Sequence, residues 1–220
     1  MMEIKLCGIT RMEDAALAAE LEVDALGFIF YPHSPRYISP SAAKGIIEGL
    51  TGKRPVIVGV FVNEEITIVK QTAESCGLDM IQLHGDESVS YCRQFLASSI
   101  IKALIPKMEA DLDGLQNYPA GAILIDARDA ERYGGTGKLS DWETARKISR
   151  RQPIILAGGL NEVNVRQAIE FVLPGAVDIN SGIESAPGRK DAAKMKGIVE
   201  IIRTMRLPQD KKAVKIFKRG

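Results

Sequence analysis

The sequence has almost no charge imbalance: 29 Lys and Arg stand against 28 Asp and Glu, for a net charge of +1. A near-neutral chain sets up no field strong enough to collect nucleic acid or an anionic membrane surface. Aromatic residues make up only 5% of the chain, too few to build stacking platforms for single-stranded bases. The longest apolar runs, such as residues 55–62, are far shorter than the roughly 20 residues that cross a bilayer. The opening Met1-Met2-Glu3-Ile4-Lys5 reads as the start of a strand rather than an export signal, which makes the cytoplasm the expected location. Cysteine is scarce. Cys7, Cys76 and Cys92 are odd in number and widely spaced, which argues against a disulfide framework and a zinc cluster. The two histidines, His33 and His84, lie in different segments without ligand spacing, so no metal is expected. A GxGxxG fingerprint is also missing after the first strand, which argues against a dinucleotide-binding sheet.

What the chain does have is regular alternation. Its 220 residues, 45% hydrophobic and 26% charged, suit one globular domain. Short β-branched runs predict strands at 3–7, 25–30, 56–61, 80–83, 100–103, 122–126, 154–157 and 177–180. Helical patterning fills most of the gaps, at 12–21, 40–50, 63–76, 87–96, 141–150, 161–171 and 191–206. Ser39-Pro40 is a cap followed by a first-turn proline, and Gly77 is a stop signal. Strands alternating with helices imply parallel strands joined by crossover helices. About eight such units suit a closed (β/α)8 TIM barrel in the α/β class, as a single domain over residues 1–206. An open doubly wound sheet is the rival. Residues 207–220 form a basic tail with Lys211, Lys212, Lys215, Lys218 and Arg219. A solvated, frayed end is the expectation there, with docking through Val214, Ile216 and Phe217 as the alternative.

Side chains alternate between the faces of a strand. Lys5 and Cys7 share one face of the first strand, opposite Ile4 and Leu6. Asp126 shares a face with Leu124, and Asp178 with Asn180, each opposite aliphatic residues that suit a helix layer. The polar faces then point into the barrel, where Lys5 is expected to pair with Asp178 on the neighbouring strand, either steadying a Cys7 thiolate or serving as a purely structural lumen pair. Cys7, Asp126 and Asn180 fall at C-terminal strand ends, where barrel active sites lie. Gly158-Gly159 follows the seventh strand and Ser181-Gly182 the eighth. Barrels commonly hold a phosphate between these two loops, where backbone N–H groups approach an anion closely. A small phosphorylated substrate is the expected partner.

Several segments together are similar to the phosphoribosylanthranilate isomerase family. They are Lys5-Leu6-Cys7-Gly8-Ile9-Thr10, Ser34-Pro35-Arg36-Tyr37, Val58-Gly59-Val60-Phe61-Val62-Asn63 and Gln82-Leu83-His84-Gly85-Asp86-Glu87. Gly134-Gly135-Thr136-Gly137, Leu156-Ala157-Gly158-Gly159-Leu160 and Val177-Asp178-Ile179-Asn180-Ser181-Gly182-Ile183-Glu184 follow in the family's order. The resemblance implies an Amadori rearrangement without cofactor or metal. It implies Cys7 as base, Asp126 as acid and Arg36 on the anthranilate carboxylate. Asp178, Asn180, Ser181, Gly182, Gly158, Gly159 and His84 are the further expected substrate contacts, with a structural role for His84 left open. Asn180 departs from the serine commonest at its position. Residues 133–138 are expected to form a mobile active-site loop. The resemblance leaves monomer and homodimer both open. Other phosphosugar barrels fit less well: a histidine-pathway isomerase would place aspartate where this chain has Cys7. A catalytically silent sensor would not need both Cys7 and Asp126.

Overall fold

The computed structural model describes residues 2–104, 114, 117–126, 139–206 and 215–218. The strands are β1 (Glu3–Cys7), β2 (Ala25–Ile29), β3 (Val56–Phe61), β4 (Met80–Leu83), β5 (Ile100–Leu104), β6 (Ala122–Asp126), β7 (Ile154–Ala157) and β8 (Ala176–Ile179). Each pairs in parallel with the next, and β8 closes on β1 with Asp178 opposite Lys5. The sheet is therefore a closed ring, and the open-sheet alternative is excluded. Helices α1 (Met12–Glu20), α2 (Pro40–Gly49), α3 (Ile66–Cys76), α4 (Val89–Cys92), α5 (Leu139–Arg151), α6 (Val165–Val172) and α7 (Ala192–Thr204) join the strands, making a (β/α)8 TIM barrel. No helix among the described residues is long and apolar enough to cross a membrane.

Local signals account for several helix ends. The Ser39 hydroxyl accepts from Ala42 N with Pro40 in the first turn of α2. Gly77 ends α3 in the left-handed conformation. Two helix starts differ from the sequence expectation. α3 begins at Ile66 rather than residue 63, because Asn63 turns through φ 50° and its side chain accepts from Asp86 N. α4 is four residues long, not the ten expected over 87–96. Glu87 cannot serve as its first turn, since its carboxylate accepts from Asn63 N and Gly85 N and binds Lys102. The eighth strand ends one residue early, leaving Asn180 on a kinked backbone. A hairpin of β9 (Glu184–Ala186) and β10 (Arg189–Lys190), absent from the sequence reading, follows it.

The expected parity holds. Ile4, Leu6, Ile123, Ile125, Val177 and Ile179 face the helices in the outer core. The lumen holds its own apolar cluster, including Val58, Met80, Ile101 and Leu124. Ile216 and Phe217 of the tail belong to that cluster and are 6% and 1% exposed. Glu3, at the start of β1, accepts from Ile216 N at 2.6 Å and Phe217 N at 3.3 Å. The expectation of a solvated end fails for these two residues. Their apolar side chains find the barrel's N-terminal mouth, and Glu3 supplies the acceptor that buried backbone N–H groups require. Phe217→Ala is expected to cost about 2 kcal/mol, less than most core Phe truncations because a tail can undock. The midpoint of thermal unfolding should fall by about 4–8 °C with steady-state kinetics unchanged. An unaltered melt would show that the tail contributes no docking energy.

Candidate active site

A cavity of about 290 Å³ opens at the C-terminal ends of the strands. Cys7 from β1, Asp126 from β6 and Asp178 from β8 all line it. So do Arg36 and His84, and the loop residues Gly158, Gly159, Asn180 and Ser181. Gly182 does not. It packs behind the wall, where a Cβ would collide with the Leu160 carbonyl oxygen, so its contribution is to let the loops after β7 and β8 touch.

Cys7 is 4% exposed and ends the lumen face of β1. Below it, Lys5 Nζ donates to Asp178 Oδ2 at 2.7 Å, the pairing that strand closure predicts. Lys5 is completely buried, and Asp178 is 7% exposed. Burial opposes the Lys5 charge, but Asp178 and Cys7 outweigh it and raise the ammonium's pKa. Burial also pushes the Cys7 thiol up; Lys5 pulls it down, Asp178 pushes it up and Lys190 pulls it down, leaving it raised. The resting thiol is therefore protonated at neutral pH.

Asp126 is 2% exposed. His84 Nε2 lies 3.6 Å from its Oδ2, while His84 Nδ1 pairs with Gln82 Nε2 at 2.8 Å. With the amide donating, the imidazole carries its proton on Nε2 and presents it to Asp126. The loop bearing His84 is gripped from below. Lys102 Nζ donates to Leu83 O, Gly85 O and Glu87 Oε2 at 3.3, 2.6 and 2.7 Å.

Arg36 shows an unexpected engagement. Its Nε and Nη2 fork onto Glu184 at 2.9 and 2.7 Å, so part of the planar edge expected for a substrate is already occupied. Nη1 has no partner among the described residues. Lys190 Nζ completes the cluster, donating to Glu184 Oε1, Asn180 Oδ1 and Asn180 O. Burial raises the Glu184 carboxyl, yet Arg36 and Lys190 together hold it below the usual range. Burial likewise pulls the Lys190 ammonium down. The cluster leaves Asn180 fixed at the rim of the cavity.

Glu184, Lys190 and Gln82 were not foreseen as site residues. Gln82 was readable by parity, since it shares the lumen face of β4 with Met80. Glu184 and Lys190 had no such signal, because the hairpin that carries them was not predicted. An apolar wall of Ile29, Val60, Val62 and Tyr31 beside Cys7 and Arg36 was also missed. The mobile loop expected over 133–138 lies outside the described residues. Cys76 and Cys92 are buried away from the cavity as free thiols. No group of three His, Cys, Asp or Glu among the described residues could hold a metal ion.

Residues 4–201 match the family model of N-(5'phosphoribosyl)anthranilate (PRA) isomerase. The N-(5'-phosphoribosyl)anthranilate isomerase of Syntrophus aciditrophicus is 53% identical over 203 residues, covering 92% of this chain and 88% of that protein. The Geobacter sulfurreducens protein of the same name is 46% identical over 201 residues, 90% of this chain and 97% of its own. The crystal structure of the Thermotoga maritima phosphoribosyl anthranilate isomerase superposes with a TM-score of 0.84 at 40% identity, over 93% of this chain and 100% of that one. A phosphoribosyl anthranilate isomerase in complex with reduced 1-(o-carboxyphenylamino)-1-deoxyribulose 5-phosphate gives a TM-score of 0.81 at 38% identity, with the same coverage.

Proposed function

The chain belongs to the N-(5'-phosphoribosyl)anthranilate isomerase family and is an isomerase of tryptophan biosynthesis, and from that premise we propose that Cys7 is its general base and Asp126 its general acid. The reaction converts N-(5-phosphoribosyl)anthranilate to 1-(2-carboxyphenylamino)-1-deoxyribulose 5-phosphate. A proton delivered to the ribose ring oxygen breaks the C1–O bond and leaves a Schiff base at C1. A base then takes the C2 proton, giving an enolamine that tautomerises to the ketone. One acid and one base suffice for both steps, so the chemistry itself calls for no metal or cofactor.

The observation that carries this reading is the convergence of Cys7 and Asp126, from non-adjacent strands, on one cavity. Asp126 is 2% exposed and lines the same cavity as Cys7, which suits a group that hands a proton to a bound sugar. His84 N–H is close enough to steady the carboxylate once the proton has gone. The apolar wall of Ile29, Tyr31, Val60 and Val62 suits the aryl ring. Arg36 stands beside it to meet the ring carboxylate through Nη1. The loops at Gly158–Gly159 and Asn180–Ser181 suit the 5-phosphate. The bound product analogue of the related structure has all three parts: aryl carboxylate, sugar chain and phosphate. A role in amino-acid biosynthesis fits a cytoplasmic enzyme.

The direct test is an assay with freshly made N-(5-phosphoribosyl)anthranilate, followed by loss of its fluorescence. Turnover without added metal is expected; binding without turnover would favour a sensor. Arg36→Met is expected to raise KM by about 10–100-fold, the loss of a charge-assisted carboxylate contact, with a smaller change in kcat. A change confined to thermal stability would reject a substrate role for Arg36 and leave it as the partner of Glu184.

A further inference from the structure

The lumen directly beneath the Cys7 thiol holds a charge pair that the acid–base steps do not use. Lys5 and Cys7 lie two residues apart on the same face of β1, and both side chains reach the space beside Gly27. Gly27 of β2, opposite Cys7 in register, makes the space: a Cβ there would sit 2.7 Å from Cys7 Sγ and 3.1 Å from Lys5 Nζ. On the other side Asp178 anchors the ammonium through Oδ2. Its second oxygen, Oδ1, is buried without a hydrogen-bond partner, although Asp178 lines the cavity. A pair serving only to fill the lumen would have both oxygens satisfied, because an orphaned buried acceptor is costly. An orphaned acceptor just behind a cavity wall is matched to a donor that the ligand brings once the carboxylate turns toward it, and the donors that this substrate offers are its sugar hydroxyls.

We propose that Lys5 and Asp178 are a positioning pair that couples sugar binding to ionisation of Cys7. The proposal rests on the reading of Cys7 as the base. Lys5 is the cation that holds the thiolate. Asp178 Oδ1 accepts a sugar hydroxyl, which draws the carboxylate's negative charge away from the sulfur and leaves the ammonium more fully shared with it. The thiol proton leaves to solvent, and the base is armed only when substrate is present. The other charged groups around the sulfur are Lys190 from β10, with Arg36 and Glu184 behind it. Asp126 and His84 face it from β6 and the loop after β4. Of these, Lys5 exerts the largest pull toward the thiolate, and Asp178 opposes it.

Two measurements test the coupling. The first is the pH dependence of Cys7 alkylation by iodoacetamide in the free enzyme, read by mass spectrometry on the peptide containing Cys7. Lys5→Met is expected to raise the midpoint by about one unit, a roughly tenfold slower reaction near neutrality; Lys5→Arg should recover most of it. If Lys5→Met fails to fold because Asp178 is stranded, Lys5→Met/Asp178→Leu removes both charges together. Its midpoint should still lie above the wild type, since the pull of Lys5 exceeds the push of Asp178. Unshifted midpoints in folded variants would overturn the role of Lys5. The second is calorimetric proton release on binding the reduced product analogue, measured in buffers of different ionisation enthalpy. Wild type should release protons, and Cys7→Ser and Asp178→Asn should release fewer. Equal release from wild type and Asp178→Asn would overturn the coupling. The failures are separable: an active Cys7→Ser variant removes the base assignment, whereas unshifted midpoints beside an inactive Cys7→Ser remove only the positioning pair.

Discussion

Cys7→Ser is expected to lower kcat by about 10³-fold, in the middle of the range for loss of a general base, with little change in affinity for the product analogue. The substitution is nearly isosteric at a site that is 4% exposed, so the fold around β1 should be undisturbed. The change is chemical. A serine hydroxyl is a far weaker acid than a thiol, and the Lys5 ammonium cannot bring it to the alkoxide near neutral pH. Binding should survive because the groups assigned to carboxylate and phosphate, Arg36 and the loops after β7 and β8, are unchanged by the exchange of sulfur for oxygen. Residual turnover then reflects Asp126 and substrate positioning. A loss of kcat and kcat/KM in equal measure would mark an interaction made only in the transition state. Near-normal turnover would end the assignment of Cys7 as base.

Glu87→Ala is expected to destabilise the protein by about 3–5 kcal/mol, the usual cost of stranding one member of a buried ion pair. The midpoint of thermal unfolding should drop by about 10–15 °C. Both side chains are 1% exposed, so solvent screens the pair very little. The carboxylate also accepts from Asn63 N and Gly85 N, and those backbone groups would lose their partner. Lys102→Met removes the stranded charge but leaves the Leu83 and Gly85 carbonyls without their donor. The double variant should therefore remain less stable than the wild type while recovering part of the Glu87→Ala loss. Because this pair grips the turn carrying His84, kcat should also fall in variants that stay folded at the assay temperature. A melt within a degree or two of wild type would show that the loop is held by its packing alone.

The two predictions differ in how visible their residues are in the sequence. Cys7 could be read from alternation, because a strand of Glu-Ile-Lys-Leu-Cys places three polar residues on one face whatever surrounds it. The structure puts them at three depths of the lumen: Glu3 under the tail, Lys5 in the middle and Cys7 at the cavity. Asp126 and Asp178 follow the same rule. Glu87 could not be read this way. It lies in a segment with helical composition, and only the arrival of Lys102 from β5 and the open N–H groups of Asn63 and Gly85 turn it from a helix residue into a loop anchor. Arg36 was legible as a candidate through its motif, but its fork onto Glu184 depends on a hairpin that its short strands did not signal.

The sequence alone determined what repeats locally: eight strands, the helices between them, the face each side chain occupies and hence which polar groups enter the lumen. These follow from periodicity and from capping residues such as Ser39 and Gly77, which act within a few positions of themselves. Tertiary structure decided which distant polar groups meet. Lys102 with Glu87, Lys190 with Asn180 and Glu3 with the tail join residues 10 to 213 positions apart, whereas Lys5 with Asp178 could be expected from strand parity once the barrel was taken to close. Their pairing depends on ring closure and on burial. Inside the barrel an ion or a backbone N–H cannot fall back on water, so each takes whichever partner the closed ring brings within reach.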